Sequence, residues 1–133
     1  MLEVPQYTAK PDTPKSLAHP NERAHRLALI NAPHVAPLND MVKTLRDKFG
    51  PQYRIPYFDP LDGGTSAECL FLLEAPGPKA VASGFISRNN PDETARNFFL
   101  LNQQAGIDRS RTVTCGAICE NSDSKPKLLE RGS

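Results

Sequence analysis

The hexapeptide Cys69-Leu70-Phe71-Leu72-Leu73-Glu74 constrains the fold of this chain more than any other segment. It is a short apolar run held between two sets of breakers, Asp62-Gly63-Gly64 before it and Pro76-Gly77 after it. A run of this length and continuity has the pattern of a strand buried on both faces, as in a parallel sheet. A second β-prone run, RTVTCGAIC, begins at Arg111. Between the two, Asn90 is placed to cap a helix with Pro91 at its first position. Asp92 and Glu93 then sit at the positive end of the helix dipole, and Gly106 stops the helix. Strand, helix, strand in this order predicts a right-handed parallel crossover within an α/β domain.

The flanking segments are read in the same way. Pro5, Pro11, Pro14 and Pro20 lie among polar residues, so 1–20 is expected to be a flexible arm that buries too little apolar surface to offset the entropy of ordering. A short helix capped by Asn21 would gather Ala24, Leu27, Ala28 and Ile30 on one face and end at Pro33. A clearer helix has Pro37 in its first turn, Leu38, Met41, Val42, Leu45 and Phe49 at helical spacing, and Gly50 as its stop. The turn-rich stretch 51–64 reads as a loop. One domain over 21–118 fits a chain of 133 residues that is 38% hydrophobic, and 119–133 reads as a polar tail expected to be disordered.

A net charge of +1 leaves no global field that would draw the chain to nucleic acid or an acidic membrane, so any such contact must be local. Three cysteines without a CxxC pair fit a reducing compartment, and the cytoplasm is the expected location. The first residues lack a basic and apolar leader pattern, and no apolar run approaches the roughly 20 residues needed to cross a bilayer, so no membrane partner is expected.

Several motifs occur in a telling order. FDPLDGG precedes LFLLEAPG, which is followed by GFISRNNPDETARNFF and an AGI turn. Together they resemble the uracil-DNA glycosylase-like superfamily, in particular its EAPG-containing bacterial-type branch, over 55–114. The resemblance implies a partial three-layer α/β/α parallel sheet and, as the family activity, hydrolysis of the N-glycosidic bond of uracil in DNA during base excision repair. It implies that Glu74 orients water and stabilises the sugar cation, that Ala75 and Gly77 let backbone amides approach the base, and that Pro76 stiffens the turn. Phe85 is the candidate aromatic for stacking on uracil, and DNA containing uracil is the implied partner. Some relatives hold an iron–sulfur cluster, but Cys69, Cys115 and Cys119 do not reproduce a four-cysteine pattern, so neither cofactor nor metal is expected. The bland alternatives are a solvated or Lys-paired Glu74, a core Phe85, core positions for Phe98 and Phe99, and solvated Lys79, Arg88 and Arg96.

The chain also departs from the family. After Thr114 it reads Cys-Gly-Ala-Ile-Cys where relatives carry an Asn that reads the uracil edge, and no counterpart of the family's C-terminal His motif occurs before Ser133. The abrupt change resembles the effect of a frameshift or an early stop. The expectation is a truncated glycosylase-like protein with impaired activity, its oligomeric state open. A non-catalytic nucleic-acid-binding or interaction remnant is the main alternative, and an unrelated small α/β protein binding a phosphate or nucleotide at the loop 76–79 is the third.

Overall fold

The computed structural model describes residues 12–74 and 77–116. The expected tail 119–133, Ala75 and Pro76 lie outside these residues. The described residues form four helices, α1 (Pro20–Leu27), α2 (Ala36–Phe49), α3 (Pro78–Ser83) and α4 (Glu93–Gln104), and four short strands. The strands are β1 (Tyr57–Phe58), β2 (Cys69–Leu72), β3 (Phe85–Ile86) and β4 (Thr112–Cys115), and the elements run in the order α1, α2, β1, β2, α3, β3, α4, β4. β1 pairs with β3 and β2 with β4, both in parallel, so the described residues form a small mixed α/β fold with two two-stranded sheets.

α1 starts two residues earlier than expected. Pro20 takes the first turn, where its missing N–H costs nothing, and His19 rather than Asn21 holds the N-cap. The expected apolar face does not form either. Leu27 is 53% exposed, whereas Glu22 and Arg26 are buried. The helix turns its charged side inward because Arg26 finds Asp59 and Ser87 there, at 2.9 and 3.0 Å. α2 follows its sequence signals more closely. Pro37 occupies the first turn, Gly50 ends the helix at φ 82°, and Val42 is buried. Val35, Val42, Ile55 and Phe58 form a buried cluster against which Leu38, Leu45, Val113 and Cys115 pack. Asn39 sits fully buried beside it, donating to the Ile30 carbonyl and accepting from the Phe58 amide, and so ties the α1–α2 connection to β1.

Three further expectations change. The stretch 51–64 contains β1, a strand too short to leave a periodicity signal. β2 exists where the apolar run predicts it and pairs in the expected parallel sense, but it is not buried on both faces. Leu70 and Leu72 are 60% and 73% exposed. Only Phe71 is covered, its ring edge-on to Phe98 of α4 at 4.9 Å. α4 is capped by Asp92, whose Oδ1 accepts from the Ala95 amide at 2.7 Å, and not by Asn90. Asn90 is buried instead, donating to the Phe85 carbonyl and accepting from the Ser83 hydroxyl.

Residues 12–20 of the expected arm are packed against the domain. A 3-10 turn at Ser16–Ala18 carries Leu17 into the interior, where its amide donates to the Asn89 carbonyl at 3.1 Å. No helix of the described residues is long and apolar enough to cross a membrane.

Candidate functional site

Glu74 lies two residues past the end of β2, and β4 ends alongside at Cys115, so both strands deliver their carboxyl ends to one place. Ligands of parallel sheets bind at such ends. A cavity of about 490 Å³ opens there. Its polar wall includes Glu74, Lys79, Ser87, Arg88, Asn90 and Thr114, and Phe98, Leu73 and Ile86 contribute apolar surface. The volume falls within the range of about 300–1,000 Å³ usual for small-molecule sites. Glu74 is exposed and forms no ion pair among the described residues, with Lys79 or otherwise. Gly77 lines the same cavity, and a β-carbon there would meet nothing within 4 Å.

Phe85 is placed elsewhere. It lies in β3, is 2% exposed and packs beside Tyr57 at 6.1 Å, outside the cavity lining. Phe98, which reads from sequence as core, supplies the aromatic surface of the cavity instead. Arg88, which lines the same cavity, stands over the Phe98 ring with its guanidinium carbon 5.3 Å from the ring centre. Arg96 is exposed and lies near Glu93 at 4.0 Å, away from the cavity.

The wall formed by residues 87–90 is held from behind by a buried ionic network that sequence reading missed. Asp59 accepts from Arg26, Arg109 and the Ser87 hydroxyl. Asp62 takes Arg109 at 3.0 Å and faces Arg88 at 3.9 Å. Asn89 donates to Asp12 and to the Thr13 carbonyl and accepts from Arg109, so the segment at 12–18 and the cavity wall share partners. Burial alone would raise the Asp59 pKa, but Arg109 and Arg26 hold it below the usual carboxylate range. For Asp62, burial and the neighbouring Asp59 charge prevail over Arg109 and Arg88 and push its pKa up to about 7. Arg88 is pushed down, chiefly by burial, while the carboxylates around Arg109 raise its pKa in spite of burial. The signal for this network was present in FDPLD and SRNN, where acids and amides cluster in a stretch rich in turn formers. Composition cannot say that Arg26 and Arg109 converge on it.

Among the described residues no group of three or more His, Cys, Asp or Glu could hold a metal ion. The chain matches no protein-family model, no curated protein and no solved structure.

Proposed function

We propose that the cavity beside Glu74 binds a nucleic-acid base extruded from uracil-containing DNA, in a domain of the uracil-DNA glycosylase-like kind with a partial three-layer α/β/α sheet. One observation carries the reading. The acid implied by the EAPG motif stands without an ion-pair partner among the described residues, at the carboxyl ends of two parallel strands, and lines a cavity with both an aromatic and a polar wall. Breaking a glycosidic bond develops positive charge on the sugar and negative charge on the departing base. Glu74 meets the first need by orienting water and stabilising the cation. Arg88 and Lys79, which line the cavity, place positive charge near the second. Phe98 offers a face for the flipped base, in the role first assigned to Phe85.

At the place of the family's base-reading Asn the chain has Cys115-Gly116, which favours binding with slow release. Losing one such electrostatic contact costs about 10²–10³ in rate. The test is release of free uracil from a single-stranded uracil-containing oligonucleotide, beside Glu74→Ala. Slow release that disappears in the variant is expected, and release unaffected by the variant overturns the assignment of Glu74. Salt-sensitive DNA binding with no release at all would mark the chain as a non-catalytic binder.

A further inference from the structure

The polar side chains around the cavity differ in how fully they are already used. Asn90, the residue type best suited to read a base edge by paired hydrogen bonds, is fixed in orientation by donating to the Phe85 carbonyl and accepting from the Ser83 hydroxyl. The Ser87 hydroxyl is committed to Asp59 and Arg26. Arg88 donates to the Thr112 hydroxyl, which in turn donates to the Arg109 carbonyl. Two atoms of this wall are left without a hydrogen bond among the described residues, the charged Arg88 Nε, 3.9 Å from Asp62, and the uncharged hydroxyl of Thr114. Thr114 points to the same side of β4 as Thr112 and is 3% exposed, yet its hydroxyl has no hydrogen-bond partner among the described residues. A buried hydroxyl without a partner is unfavourable, and valine would fill the same space on a strand at no such cost. Thr114 lines the cavity together with Phe98, and its strand neighbour Phe71 packs edge-on to that ring.

We propose that the Thr114 hydroxyl is the uncharged polar contact for a pyrimidine base in this cavity, and that it makes the site tolerant of both uracil and cytosine. The inference rests on the base-binding reading above. Uracil presents a carbonyl acceptor and a ring N–H at the edge where cytosine presents an amino donor and a ring acceptor. A fixed amide discriminates between these patterns because its donor and acceptor cannot exchange without turning the side chain. A hydroxyl rotates and satisfies either. With the Asn90 amide fixed in orientation and the Ser87 hydroxyl committed, the Thr114 hydroxyl is the buried, uncharged rotor that this wall offers to a base edge.

The experiment is titration of the purified full chain with free uracil and with free cytosine, followed by NMR at the amides of residues 87–90 and 114. It is repeated with Thr114→Val and Thr114→Ser, and thermal unfolding is recorded for each protein. The two bases are expected to bind within about threefold of each other, and Thr114→Val to weaken both by about five- to tenfold, the effect of one neutral hydrogen bond. Thr114→Ser retains binding. Thr114→Val does not lower the unfolding temperature, since no internal hydrogen bond is lost. Equal binding by Thr114→Val, or a preference of the wild type for uracil above about tenfold, the step worth 1.4 kcal/mol, overturns the role of Thr114 and leaves the base cavity standing. Binding of neither base overturns the cavity reading as well.

Discussion

At Gly63 an added β-carbon would lie 2.0 Å from the Ser110 carbonyl oxygen, and at Gly64 2.1 Å from that of His34. Both obstacles are backbone, and both approaches are fixed by hydrogen bonds. The Gly63 amide donates to the Thr112 carbonyl, and the Thr65 amide to that of His34. Gly64 also has φ 56°, in the left-handed region. The pair that reads from sequence as a breaker is thus the point where the connection to β2 presses against the segment entering β4 at Gly63 and against the α1–α2 connection at Gly64. Gly63→Ala is expected to lower stability by about 1–3 kcal/mol, as overpacking does, in chemical denaturation. Gly77→Ala, with open space around the position, is the matched control and should leave the midpoint unaltered. The two glycines look alike in the sequence, and only the distance to a carbonyl remote in the chain separates them.

Among the elements, the helices and strands differ in how legible they were. α2 was readable because Pro37 and Gly50 act locally through missing donors and permitted φ values, and such effects need no partner. β2 and β4 were readable as strands and as a parallel pair. The burial of β2 was not, because a continuous apolar run reports hydrophobicity and not whether a layer covers it. α4 covers the Phe71 side, while Leu70 and Leu72 are exposed on a strand that, among the described residues, pairs along one edge only. Such an edge is a template for association. Leu70→Lys is expected to change unfolding free energy by no more than about 0.5 kcal/mol, as exposed substitutions do. It should also reduce self-association in light scattering at raised concentration. A large loss of stability would show that Leu70 is packed after all. α1 misled because its exposed Leu27 and buried Arg26 invert the usual amphipathic rule.

The whole molecule is organised around the buried network of Arg26, Asp59, Asp62, Arg88 and Arg109, which joins α1, the end of β1, the wall of the cavity and the approach to β4. Its pH dependence has a definite sign. Asp62 has a folded pKa of about 7 against an ordinary 3.8, so between these values the folded state holds a proton that the unfolded chain has lost. Its contribution therefore makes stability rise as pH falls from above 7 toward 4. Asp59 has a lowered pKa, so its contribution is present above 3.8 and is lost as pH falls through the lower, folded value. Stability is expected to be higher at about pH 5 than at about pH 8, and Asp62→Asn should flatten that difference in denaturation curves. An unchanged slope in the variant would assign the dependence to another group. The sequence by itself determined the breakers, the long helix, the β2 and β4 segments and the acid that follows the apolar run. These rest on properties each residue carries with it: a fixed or permissive φ, a missing donor, an apolar side chain. Tertiary structure alone decided that Arg26 and Arg109 go inside, that Phe98 rather than Phe85 lines the cavity, and that Thr114 is left without a partner. A buried charge or hydroxyl is favourable or costly according to what stands within hydrogen-bond reach, and for Arg26 and Asp59 the chain must fold across 33 positions to bring the two together.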